Sequence, residues 1–152
     1  MVDTISKILS IVLIFLMLVM APLLISYKID DAVARREVLF DVTQFIDKVR
    51  DTQTVSPGDL DQLYQDCNSH GITVDVRVRR LVKTVVVDPE SQDVTVEYTI
   101  NDDSAALHNF NKGDGVQVIV EEIGVSPSRS YMYRVLGADS GPLKLTLAGI
   151  VG

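Results

Sequence analysis

Cys67 and His70 stand three residues apart, a spacing that brings a thiol and an imidazole to one side of a helix, as a nucleophile and its base require. Yet Cys67 continues an apolar stripe with Leu60, Leu63 and Tyr64 at i, i+3, i+4 and i+7, and His70 falls where that helix ends. This is the setting of a structural cysteine. His108 lies in a polar stretch with no cysteine or second histidine beside it, so no transition-metal site is expected. Asp88, Glu90 and Asp93 share one loop and Asn101, Asp102 and Asp103 another. Neither group has the twelve-residue ligand spacing, central glycine and closing glutamate of a calcium loop. Turn chemistry accounts for Asp and Asn in both.

Gly113-Asp114-Gly115 lacks the further glycines and lysine of a phosphate loop, and no serine sits in a GxSxG setting. Arg77, Arg79, Arg80 and Lys83 form a basic cluster, three of which share one face of an alternating strand. They read as a solvated face paired with acids. With no cofactor, metal or catalytic set apparent, the chain is expected not to be an enzyme.

The element that must position everything else is hydrophobic. No charge occurs between Lys7 and Lys28, a 20-residue window interrupted mainly by Ser10 and Pro22 and matching a hydrocarbon core of about 30 Å. A buried helix of a soluble protein would carry a polar stripe, and this one has none. A cleaved signal peptide fits poorly: the run is long, the start lacks a basic region, and Pro22 would follow a cut after Val19-Met20-Ala21. An uncleaved anchor over residues 1–28 is therefore expected. Pro22 removes a backbone hydrogen bond and should loosen the helix near Leu18. Neighbouring helices or interfacial water would then have to satisfy the freed carbonyl. Orientation is ambiguous: a literal positive-inside count of Lys28, Arg35 and Arg36 against Lys7 would put the following domain in the cytoplasm, yet Arg35 and Arg36 already stand seven or more residues past Lys28.

Residues 29–152 hold 12 of the 14 basic side chains and 20 of the 21 acidic ones once Lys28 is assigned to the anchor side with Lys7 and Asp3, corresponding to a net charge of −8. Such a surface disfavours nucleic acid and anionic lipid. Cys67 is the single cysteine, so no intrachain disulfide can form.

Ile29, Val33, Val38, Val42, Phe45 and Val49, with Leu39 and Ile46, recur at mostly three- and four-residue spacing, and no Gly or Pro interrupts residues 23–51. The anchor helix should thus continue over 29–50 as one rod of some 70 Å. A second helix over 56–70 should start with Ser56 as N-cap, Pro57 in the first turn and Asp59 against the dipole, and stop at Gly71. From Ile72 the period becomes two: Ile72, Val74, Val76 and Val78, and later Val94, Val96, Tyr98 and Ile100, mark half-buried strands joined as a hairpin. Residues 105–110 suggest a short helical turn, 115–123 a strand, 128–136 a short helix or a loop crossing the sheet, and 143–151 a last strand. The fold class is α+β, with a β-rich region over 72–152 forming a small, mostly antiparallel sheet.

This plan resembles the Tad-type (tight adherence) pilins and pseudopilins, small single-pass proteins of Gram-positive bacteria. The likeness rests on the short polar start before Ile8, the apolar helix running into Asp30-Asp31-Ala32-Val33-Ala34, and Val55-Ser56-Pro57 opening a second helix. It also rests on Cys67-Asn68-Ser69-His70-Gly71 entering the sheet, on Phe110-Asn111-Lys112-Gly113-Asp114 before a strand and on the closing Ala148-Gly149-Ile150-Val151-Gly152. Pro22 is similar to the proline that interrupts the first helix of many pilins. Where pilins generally carry a glutamate five residues into the mature chain, this one has Ile5.

The resemblance implies a structural subunit of a surface filament, residing in the cytoplasmic membrane before assembly and pairing with itself as a helical homo-oligomer and with other pilus subunits. Assembly would run through Ile8, Ile11, Val12, Phe15, Leu16, Val19, Pro22 and Leu23. The alternative is a membrane-anchored assembly factor or protein-binding module that stays in the membrane and binds by its sheet edge.

Overall fold

In the computed structural model the structure describes residues 2–87, 93–124, 130, 134 and 141–152. Helix runs from Val2 to Thr52 as three joined stretches: α1 (Val2–Phe15), a π-helical turn (Leu16–Met20) and α2 (Ala21–Thr52). At 1.5 Å per residue the rod is about 75 Å long. The π turn sits where Pro22 has no N–H to offer Leu18. The wider turn keeps the proline ring off that carbonyl, the local loosening the proline calls for. α2 ends where Gln53 turns left-handed (φ 58°) and returns its N–H to the Val49 carbonyl at 2.8 Å.

After a short connection Ser56 caps α3 (Pro57–Ser69) with a complete capping box. Its hydroxyl accepts the Asp59 N–H, and the Asp59 carboxylate accepts the Ser56 N–H at 2.9 Å. Gly71, at φ 80°, supplies the left-handed step after the helix end. Leu63 and Cys67 are buried, with Leu60 partly so, whereas Tyr64 is exposed: the buried face is narrower than the stripe of four suggests.

The sheet has four antiparallel strands in the order β2-β1-β3-β4 (β1 Val74–Val87, β2 Val94–Asn101, β3 Gly115–Glu122, β4 Lys144–Ile150). β1 is a single 14-residue strand serving two partners. Its first half pairs with β3, from Val74↔Glu122 to Leu81↔Gly115, and its second with β2, from Arg80↔Asn101 to Val87↔Val94. A 3₁₀ turn (Ser104–Leu107) occupies part of the expected helical turn. The expected short helix over 128–136 lies mostly outside the described residues, as does much of the 88–93 loop.

The core lies between α2, α3 and one face of the sheet. Ala34, Val38, Val42, Phe45 and Val49 of α2 close over Val74, Val116, Val118 and Val120, with Leu63, Cys67, Phe110 and Val151 completing the layer. Side chains of this kind contribute roughly 1.5–3 kcal/mol each when fully buried. At Gly149 helix and sheet approach closely: a Cβ there would lie 2.5 Å from Ile46 Cγ2.

The amphipathic stripe of α2 starts at Ala34. Ile29, Val33 and Leu39, expected on that stripe, are exposed, and so is Phe40. Arg35 donates to the Gly141 carbonyl at 2.7 Å and Gln53 to the Gly152 carbonyl at 2.8 Å, so β4 runs in the same direction as α2. β1, two antiparallel steps away, does too. Its second half therefore leads away from the apolar rod and past the end of α2.

Candidate functional site

The helix from Asp3 to Thr52 is long and apolar enough to cross a membrane, with a mean hydropathy of 3.1 in its most apolar window. None of its described side chains before Ala34 is buried. Ile8, Ile11, Val12, Phe15, Leu16, Val19, Pro22 and Leu23 all lie on this rod and all are exposed. They do not form one straight stripe. Ile8, Val12 and Phe15 share a face, but the π turn holds one residue more than an α turn and carries that face round by about 100° before Pro22. Around the turn, Leu13, Met17, Ala21, Pro22 and Ile25 line a shallow apolar groove.

The sites weighed for chemistry resolve into packing and ion pairs. Cys67 is fully buried, and burial, with Asp41 and Asp66 adding to it, pushes its thiol up to about 12. A thiol so held stays protonated at neutral pH and is a poor nucleophile. His70 Nε2 is 2.7 Å from Asp41 Oδ2, tying the end of α3 to α2. His108 Nδ1 is 3.3 Å from the Val55 carbonyl oxygen.

Asp102 pairs with Arg79 at 2.8 Å, and the Asn101 side chain accepts the Asp103 N–H, an Asx turn. Asp88 and Glu90 lie outside the described residues. Among the described residues no three His, Cys, Asp or Glu side chains are grouped as metal ligands.

Each strand arginine meets an acid. Arg77 bridges Asp75 and Glu121, and Glu121, also held by Lys144 at 2.8 Å, is kept below its usual carboxyl range, Lys144 foremost. Arg80 points to the opposite face. Its guanidinium meets Asp114, donates to the Ala106 carbonyl at 3.0 Å and lies 5.4 Å from the centre of the Phe110 ring.

Sequence reasoning placed Asp114 in a mere turn, yet it is a buried hub that also accepts the N–H groups of Asn111 (2.9 Å) and Lys83 (3.1 Å). Burial alone would raise its carboxyl, but these donors and Arg80 outweigh it and hold it below the usual range. A signal was present: Arg80 continues the inward phase of Val74, Val76 and Val78, where a charge needs a buried partner.

Beyond the charge-free stretch, two larger apolar surfaces remain uncovered among the described residues. One is the outward face of the β1–β2 hairpin, where Val94, Val96, Tyr98 and Ile100 alternate as expected. They stand 65, 45, 43 and 53% exposed rather than half-buried against the domain. Their β1 neighbours Val85 and Val87 are exposed beside them. The other is the outer side of α2 at Ile29, Val33 and Phe40. Comparison of the chain with protein-family models, with curated proteins and with solved structures finds no match.

Proposed function

We propose that the chain is a structural, non-enzymatic subunit of a pilus-like surface filament, of the Tad-type pilin kind, that packs through its N-terminal helix and carries the α+β domain outside. The observation that supports this reading is the unbroken rod. Helix passes from the charge-free segment through Asp30 and Asp31 into the domain core with no linker, and none of the described side chains before Ala34 is buried by the described residues. A simple tether has no need of such rigid continuity and commonly ends in a flexible segment. A subunit whose helix must enter a bundle at a set angle to its domain does.

Leaving the bilayer for a bundle changes the apolar environment little, so close packing must drive the exchange. That makes the rod sensitive to added volume. Leu16→Trp should insert into the membrane at wild-type level, because lipid adapts to bulk. A packed core should resist it at about 1–3 kcal/mol per subunit, with surface fibres lost or sharply reduced. Electron microscopy and mass spectrometry of sheared surface material test both statements. Wild-type cells without fibres, or fibres indifferent to Leu16→Trp, would overturn the reading.

The second reading, a binding module that stays in the membrane, is favoured by the open edge of β2 and its uncovered apolar face. It would then take the first one's place.

A further inference from the structure

The apolar surface of the rod does not stop where its charge-free run stops. α2 is regular α-helix from Ala21 onward, so each residue turns by about 100° from the last. Ile25, Ile29, Val33 and Arg36 then fall within about 80° of one another, and all four are exposed. Ala34, Val38, Val42 and Phe45 of the core point the opposite way. The α+β domain therefore hangs on one side of the rod, and this stripe runs along the other as a direct continuation of the surface that the membrane-spanning stretch turns to lipid.

Charge is distributed to match. Arg35, Arg50, Arg77, Arg79 and Arg80 each meet a carboxylate. Arg36 meets none among the described residues, although it stands exposed within the apolar stripe. Asp30 and Asp31 lie about 100° and 160° round the helix from the stripe's centre, towards the domain. An apolar strip that carries a guanidinium and keeps its acids on the far side suits a phospholipid surface. Its apolar side chains settle among the headgroups and its cation reaches a phosphate.

The heights agree. With Tyr27 at the edge of the hydrocarbon, Ile29 stands about 3 Å and Val33 about 9 Å farther along the axis. The headgroup layer is about 5–7 Å deep on each side. A common tilt of about 20° lowers Val33, on the underside of the rod, to about 7 Å, at the top of that layer. The long side chain of Arg36 leans back towards the helix N-terminus and so towards the phosphates. Phe40 shares the direction of the stripe but lies about 20 Å along the axis, beyond the layer. Leaning on the stripe also lifts Asp30, Asp31 and the acidic domain away from the phosphates.

We propose that the Ile29–Val33–Arg36 side of α2 rests in the phospholipid headgroup layer, sets the direction in which the rod tilts and holds the domain on the upper side. This contact belongs to the chain while it resides in the membrane. It goes beyond the filament reading and is the same for a subunit awaiting assembly and for a binding module that stays.

The test uses the full chain in aligned phosphatidylcholine bilayers, with nitrogen-15 in its leucines and isoleucines. Solid-state NMR of the part of α2 within the span reads both the tilt and which side of the rod is lowest. The direction of Ile29, Val33 and Arg36 should be the lowest. Arg36→Glu should turn the rod away from it, with insertion and helix–sheet spectrum unchanged, and Arg36→Lys should keep it. A nitroxide on Val33→Cys should be shielded several-fold from a water-soluble nickel chelate relative to one on Phe40→Cys. Cys67 is buried, and the natural chain treated alike supplies the blank.

A rod that stands upright or leans on its domain side overturns the proposal, and so does a direction that Arg36→Glu leaves unmoved. Equal shielding at Val33 and Phe40 overturns it as well, because a protein lying along the stripe would reach both and a headgroup layer only the first. None of these outcomes depends on whether cells shed fibres, so the filament reading stands or falls separately.

Discussion

At the scale of single residues, the domain is organised by a few charges held in tight settings. Asp59 accepts from Lys48 across to α2 at 2.7 Å and from the Ser56 backbone and hydroxyl, and these bonds, Lys48 first, lower its carboxyl from 3.8 to about 2. A depressed folded-state value means the fold prefers the carboxylate. The stabilisation is complete above pH 4 and is lost as pH falls from about 4 through 2. Asp59→Asn should cost about 1 kcal/mol at neutral pH, the usual worth of such a cap, and that deficit should shrink towards zero near pH 2. Melting of the detergent-solubilised chain across this range checks both the size and the sign; a deficit that grows on acidification would contradict the assignment.

Arg80 and Asp114 are a different case, since both are largely buried. Arg80→Ala would leave a buried carboxylate with two backbone donors only. The expected loss is about 3–5 kcal/mol in a denaturant titration, whereas Arg80→Met with Asp114→Asn should recover a substantial part of it.

At the scale of elements, much of the layout was legible, for reasons that differ from piece to piece. The α3 start was readable because Ser56, Pro57 and Asp59 each do one local job, and local chemistry needs no tertiary knowledge. The disturbance before Pro22 was readable for the same reason. That it takes the form of a π turn, and so rotates the face of Ile8 and Phe15 away from Pro22, was not.

Alternation located β1 and β2 but was silent about which side of β2 is covered, because periodicity records two unlike faces and not what each one meets. The same blindness put Ile29 and Val33 on the buried stripe of α2, when burial begins with Ala34. The Arg80–Asp114 pair spans 34 positions and no motif links them. Gly149 is a further example, a residue whose reason is the helix lying over it. Gly149→Ala should force Ile46 aside and cost about 1–3 kcal/mol with the secondary structure unchanged. A variant as stable as the natural chain would mean that Ile46 does not press on β4 at Gly149.

At the scale of the whole molecule, the rod and the domain divide at Ala34 rather than at the end of the apolar run. Every buried apolar residue among the described ones lies between Ala34 and Val151, and the π turn, α1 and the first thirteen residues of α2 contribute no described side chain to that core. Residues 29–152 alone should therefore fold, with mixed helix and sheet signal in circular dichroism and a melting temperature within a few degrees of the domain in the full chain. The new helix end at residues 29–33 would fray without exposing any buried side chain.

Without the apolar rod, which the filament reading makes the assembly surface, the fragment should be a soluble monomer. A specific association would have to outweigh the translational and rotational cost of bringing two copies together. Sedimentation at increasing concentration checks this. A fragment that is unfolded or wholly helical would show that the sheet depends on the rod. A fragment that associates as its concentration rises would show that the domain carries an assembly surface of its own.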